Sequence, residues 1–192
     1  MSRFRPTVAV FLASIIPSVC GANPTVLQRG IARVSIVKLS HAVKFGHKNL
    51  IVVPLEDCAV LINGHRTALK KGEYKEVNAG DDFSLSPVST ESPRLALVEV
   101  GALSQALTIT SQSLAAHQEL EDASDRNQTL IVALDSLEIS DEQNSADEGE
   151  PWKPSKIRVI RLQRGETGWL NHGMHRVRNA GGAVARFITI EW

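Results

Sequence analysis

The residues best equipped for chemistry stand in the last thirty positions of the 192-residue chain. Gly165 is followed by Trp169, then by Asn171-His-Gly173, His175 and Asn179. An imidazole among glycine turns can ligate a divalent metal or move a proton near neutral pH. An asparagine sits four residues after that histidine. The stretch continues into Ala185-Arg-Phe-Ile-Thr-Ile-Glu-Trp192, whose β-branched and aromatic residues predict a strand.

The elements that must hold these residues recur twice. Asn49-Leu-Ile-Val-Val-Pro-Leu-Glu56 is echoed by Thr129-Leu-Ile-Val-Ala-Leu-Asp135, and Arg94-Leu-Ala-Leu-Val-Glu-Val100 by Arg186-Phe-Ile-Thr-Ile-Glu-Trp192. Val77-Asn-Ala-Gly-Asp81 with Phe83 reads as the counterpart of Leu162-Gln-Arg-Gly-Glu166 with Trp169. Val34–Leu39 before His41 corresponds to Leu107–Leu114 before His117. Ordered matches of this kind mark an internal repeat. Short apolar runs bounded by turn residues predict antiparallel strands, and Asn63-Gly64 has the residue types of a tight two-residue hairpin. Ser113–Asp122 has the composition of a short helix, but the repeat instead ends a strand there and follows it with a loop. Residues 141–154 are acidic and proline-bounded, which predicts an elongated, solvated hairpin loop carrying Trp152. Their carboxylates lack the spacing of a calcium loop.

Charge and composition narrow the function. Lys plus Arg and Asp plus Glu each number 21, so the formal net charge is zero and no basic stripe suggests nucleic-acid binding. Met1–Pro6 is basic, Thr7–Val19 apolar, and Cys20-Gly-Ala22 small, the layout of a signal peptide over residues 1–22. The apolar run is shorter than the roughly 20 residues needed to span a bilayer. The expectation is export, periplasmic or secreted, with no stable membrane insertion after cleavage; an N-terminal anchor is the alternative. Cleavage would leave Cys58 as the one cysteine, unable to form an internal disulfide and expected to be buried.

The glycine, histidine and asparagine spacing from Gly165 to Asn179 resembles the second signature of the cupins, and the repeat resembles a bicupin. That resemblance implies an all-β fold of two antiparallel β-barrels of the jelly-roll type in tandem, residues 30–103 and 104–192, the second carrying the 141–154 insertion. In cupins the histidine is a metal ligand inside the barrel and the asparagine fixes a turn, roles that fall on His175 and Asn179. The family's first signature, a His-x-His followed by glutamate, has no match. Its place is taken by Glu119–Gln128 in the second copy and by Phe45-Gly-His47-Lys-Asn49 in the first. Ser86–Pro93 likewise contains no histidine. A catalytic mononuclear site needs about three or four converging donors.

The expected function is therefore a non-catalytic exported bicupin that binds a small molecule or serves structurally, without a cofactor. His175, Asn179, Trp169 and His117 form its weak candidate binding set. Trp169 is expected to fill the second barrel, His172 to be exposed, and His41 and His117 to share a role at strand ends. Arg176 and Arg178 should share the outer face of one strand. The alternative is a cupin oxygenase or isomerase holding one divalent metal through His175, His117 and a carboxylate from Glu121 or Asp125, with Asn127 a further replacement donor. Association into a homo-oligomer through an exposed sheet edge is a third possibility.

Overall fold

In a computed structural model of the chain, the described residues are 25–29, 31–45, 49–77, 83–88, 92–101, 107–122, 129–144, 152–170 and 173–192. The signal-peptide segment, His47, Ala79-Gly-Asp81, Asp125, Asn127 and His172 lie outside them. The described residues form strands and turns, with no helix among them.

The N-terminal half contains β1 (Thr25–Arg29), β2 (Ala32–Lys38), β3 (Val43–Phe45), β4 (Asn49–Pro54), β5 (Cys58–Ile62), β6 (His65–Leu69), β7 (Lys75–Val77), β8 (Phe83–Pro87) and β9 (Arg94–Val100). The C-terminal half contains β10 (Thr108–Leu114), β11 (Glu119–Asp122), β12 (Thr129–Ala133), β13 (Leu137–Asn144), β14 (Pro154–Leu162), β15 (Thr167–Leu170), β16 (His175–Asn179) and β17 (Ala185–Glu191). The first half builds a five-stranded sheet, β1-β2-β9-β4-β7, and a four-stranded sheet, β3-β8-β5-β6. The second builds β10-β17-β12-β15 and β11-β16-β13-β14. All these pairings are antiparallel.

The sequence expectations for the hairpin, the strand end and the acidic segment are met, the last two with a correction each. Ile62 pairs with His65 across Asn63 and Gly64, both at positive φ (49° and 81°), as a tight hairpin on a twisted ribbon requires. A strand does end at Leu114, but Glu119–Asp122 then forms β11 rather than a loop. β13 and β14, on either side of the acidic segment, pair as antiparallel neighbours, yet Asp141–Asn144 belong to β13, and residues 145–151 lie outside the described residues.

Three apolar clusters hold the sheets together. Leu50, Val52, Val60, Phe83, Leu85, Leu95 and Leu97 fill the interior of the first half. Ile131, Ala133, Ile139, Leu170, Val177 and Phe187 fill that of the second. The third cluster lies between the halves and joins Ile51, Val53, Leu55, Ala96 and Val98 to Leu130, Val132, Leu134, Ile188 and Ile190. Alternate residues of β4, β9, β12 and β17 therefore enter different cores. The expected alternation is present, but the outward side of these strands is covered too. Burial on both faces is why they read as continuous apolar runs.

Strand register aligns the two copies residue by residue. Val98 pairs with Val34 and Ile51, and Ile190 with Ile109 and Leu130. Leu50 thus corresponds to Thr129, one position off the sequence match. Leu162-Gln-Arg-Gly-Glu166 corresponds to Leu69-Lys-Lys-Gly-Glu73 instead of to Val77–Asp81. The Lys70 amide donates to Glu73 Oε2 at 3.0 Å, and the Gln163 amide to Glu166 Oε2 at 2.8 Å. Gly72 and Gly165 occupy the same turn position at φ 94° and 85°. A Cβ on Gly165 would lie 2.8 Å from Leu55 Cδ1, in the packed core, whereas one on Gly72 would have 3.7 Å of clearance. Gly165→Ala should cost about 1–3 kcal/mol from its backbone strain, with the Leu55 clash added. Gly72→Ala should fall at the lower end of that range. Denaturant unfolding of both variants measures the difference, and equal losses would contradict the packing described.

The turns also exchange charge between the halves. Lys71 bonds to Asp135, and Arg164 Nη2 donates to Glu56 Oε2 at 2.9 Å. Asp135 also accepts from Arg186 Nε. Burial works to raise the Asp135 pKa, but the hydrogen bonds and charges of Lys71 and Arg186 outweigh it and hold the carboxyl below its ordinary value. A depressed carboxyl pKa stabilises the fold above the unfolded-state value, and that stability is lost as pH falls through the native value. Asp135→Asn should therefore lower Tm at pH 7 and lose its effect in strong acid. A Tm difference independent of pH would show that the charge contributes nothing.

Candidate functional site

The polar site lies on the inner face of the sheet β11-β16-β13-β14. Along β16 the side chains alternate, so His175, Val177 and Asn179 point inward, while Arg176 is partly covered and Arg178 exposed. This matches the expected shared face of the two arginines. On β13, Leu137 and Ile139 enter the core, and the same period of two carries Asp141 inward. Asp141 stands opposite Val177 on one side and Arg158 on the other. It is therefore diagonal to His175, within reach across the strands.

The resulting contacts are close and sheltered. His175 Nδ1 lies 2.6 Å from Asp141 Oδ1, and their side chains are 4% and 6% exposed. A carboxylate can only accept, so with Asp141 ionised the shared proton belongs to Nδ1. Arg158 Nη2 donates to Asp141 Oδ2 at 3.1 Å and also to the Trp169 carbonyl. The guanidinium thus balances the carboxylate that fixes the imidazole. From the facing sheet, Thr129, Thr189 and Glu191 are buried. They share the strand faces of Ile131 and Phe187, which line the same interior. One end of this interior is therefore polar and the other apolar.

Asn179 is structural. Its Nδ2 donates to the carbonyls of Leu114, Ala115 and Ala183 at 2.7–3.1 Å, while Oδ1 accepts from the Gly181 amide at 3.0 Å. This is the turn-fixing role implied by the resemblance. His117 is not part of the site. It sits at φ 64° in the exposed turn between β10 and β11, with its amide bonded to the Asn179 carbonyl. The register places Asp122 opposite His175 and Glu119 opposite Arg178, so His117 lies at the far end of β16. His41 likewise lies in an exposed turn. Glu121 pairs with Arg176, one step away from His175.

Trp169 is also relocated. Leu130, its partner on β12, faces the core between the halves, and Trp169 packs there against Trp192. Leu170 takes the inward position. Trp152 leaves the loop to lie beneath Arg176, whose guanidinium carbon is 4.5 Å from the ring centroid. Asp141 was hidden in an acidic segment, and only the two-residue period through Leu137 and Ile139 could have revealed it. Arg158 follows from pairing across a hairpin whose connection is not fixed by composition. Cys58 is partly buried against the first core, and burial, then Glu56 and Asp57, push its thiol pKa up.

The same positions in the first half carry no such site. By register, Phe83 replaces His175, Ile62 replaces Asp141, His65 replaces Arg158 and Phe45 replaces Asp122. The Phe45 and Phe83 rings pack 6.0 Å apart. Among the described residues, this polar cluster thus belongs to the C-terminal half.

A cupin metal would need further donors around His175. Among the described residues, no three of histidine, cysteine, aspartate and glutamate come together as such a set. The carboxylate nearest His175 is engaged by the imidazole and by a guanidinium, whose positive charge opposes a cation. Among the described residues, this donor set does not fit a cupin metal.

The chain has the cupin fold. A cupin 2 conserved barrel domain protein from Leptotrichia buccalis superposes with a TM-score of 0.53 at 11% identity, over 88% of this chain and 89% of that one. Ylba from E. coli gives 0.64 at 12%, over 93% and 85%. Salicylate 1,2-dioxygenase from Pseudoaminobacter salicylatoxidans gives 0.54 at 6%, over 83% and 67%. The neighbours thus include an enzyme, and at these identities the likeness concerns the fold alone. No protein-family model and no curated protein matches the sequence.

Proposed function

We propose that the protein is an exported bicupin that binds a small molecule without a catalytic metal, at the polar end of its C-terminal interior. The observation that carries this is the buried His175–Asp141 pair neutralised by Arg158, where a metal-dependent cupin would gather several ligands. The repeated strand register and the pairing of strands within each half support two cupin barrels in tandem. The basic, apolar and small-residue order of residues 1–22 supports export.

One observation favours the metal-dependent alternative. A carboxylate on Nδ1 is also the usual way of orienting a metal-ligating imidazole. The test is metal content after exposure to Fe, Mn, Zn, Ni and Cu and removal of loose ions, in protein lacking an affinity tag. The expected result is no stoichiometric metal in the wild type or in His175→Ala. A stoichiometric metal lost in His175→Ala would overturn the proposal in favour of an oxygenase or isomerase. Binding is tested by a thermal-shift screen of small molecules, with hits expected to weaken in Arg158→Gln.

A further inference from the structure

We infer that the groove between the two halves, remote from the His175 site, binds a small carboxylate with a short aliphatic chain. The groove has a volume of about 450 Å³, and its walls include Val34, Ile36 and Leu162 together with Arg94, Arg164 and Thr167. It combines an apolar floor with cationic groups at its edge, the usual composition of a site that holds an apolar body and orients one polar end.

The internal repeat makes this groove informative, because the same junction is built twice. In the second version Tyr74 stands where the groove has Thr167, Ile109 where it has Val34, and Arg186 where it has Arg94. There the Tyr74 hydroxyl donates to the Ile109 carbonyl at 3.4 Å, so the ring closes over the junction. Arg186 and Lys71 both bond to Asp135, so each of these cations has a carboxylate partner. The groove side departs from this pattern twice. Thr167 is too short to cover the floor. Glu56 accepts from the Arg164 guanidinium and from the Arg94 backbone amide, leaving the Arg94 guanidinium without a carboxylate among the described residues.

Two more polar atoms in the wall are unused. Arg164 Nε and Thr167 Oγ1 are sealed from water without a hydrogen-bond partner. A small side-chain shift would present Arg164 Nε to an anion held by Arg94. The acid in the wall, Glu166, has one carboxylate oxygen turned back to the Gln163 amide. With Glu56 on Arg164 and Glu166 in the wall the formal charges balance, so what the groove offers an anion is the Arg94 guanidinium itself, which no described carboxylate engages. A guanidinium matches a carboxylate through paired, charge-assisted hydrogen bonds, while Val34, Ile36 and Leu162 would receive the chain.

The test uses octanoate, with octanol as the uncharged control, measured by titration calorimetry and thermal shift on the full chain. Octanoate should bind once per chain and raise Tm, and octanol should bind about tenfold or more weakly, as loss of a charge-assisted contact implies. Arg94→Gln, at an exposed side chain, should weaken octanoate about tenfold. Thr167→Tyr should close the groove as Tyr74 does in the other half and abolish binding. Arg158→Gln should leave octanoate binding unchanged, which separates this site from the interior one. Failure of octanoate to bind the wild type, or binding unaffected by Arg94→Gln, would overturn the inference. So would loss in Arg158→Gln alone.

Discussion

Replacing Asp141 by alanine is expected to destabilise the protein by about 2–4 kcal/mol at neutral pH, although the residue lies in the most acidic and polar stretch of the sequence. Two donors depend on it, the buried His175 and the partly exposed Arg158. His175 loses its 2.6 Å partner inside the core, and Arg158 keeps its bond to the Trp169 carbonyl but loses its balancing charge. Removing one member of a buried pair leaves the other desolvated and unmatched, which costs more than the pair contributes net. Asp141→Asn should lose less, because the amide oxygen can still accept from Nδ1. A double-mutant cycle of Asp141→Ala with His175→Ala, read by denaturant unfolding, should give a coupling of about 1 kcal/mol or more. A loss below about 0.5 kcal/mol in Asp141→Ala would be the behaviour of a surface residue and would refute the buried network.

Trp192→Ala should be the more damaging truncation of the two tryptophans between the halves, costing about 3–5 kcal/mol. Trp192 is 8% exposed and belongs to the core between the halves, beside Ala32, Leu130 and Ile190. Its ring meets Trp169 edge to face, with centroids 5.8 Å apart and planes at 90°. Trp169 is only partly buried against the same core, so Trp169→Ala should cost less, contrary to its expected place at the centre of a barrel. The two losses should not add, because each truncation also removes the aromatic contact. Denaturant unfolding of both single variants and of the double variant gives the comparison. A larger loss for Trp169→Ala than for Trp192→Ala would mean that the aromatic pair is oriented differently.

The sequence by itself determined the class of fold and one structural residue. Runs such as Leu50–Val53 and Leu130–Ala133 are strands because their β-branched and aliphatic side chains suit a pleated surface buried on both sides. Asn63-Gly64 set a hairpin because these residues accept positive φ at little cost. The His175 to Asn179 spacing put both side chains on one strand face, and Asn179 fixes the turn as the resemblance implied. These are local consequences of backbone conformation and a period of two.

Tertiary structure decided the rest, because the same local pattern permits more than one answer. The alternation at Trp169-Leu170 requires opposite faces, but both faces meet apolar cores, so hydrophobicity could not say which side chain enters the interior of the second half. Two glycine–acid turns resembled Gly165-Glu166, and only long-range pairing identified Gly72-Glu73 as its counterpart. Asp141 carries the charge and composition of its loop neighbours, yet pairing with β14 and β16 turns it inward. There Arg158 and His175 satisfy a carboxylate that would otherwise be too costly to bury. Local sequence gives a strand its two faces; the sheets packed against it determine what each face meets.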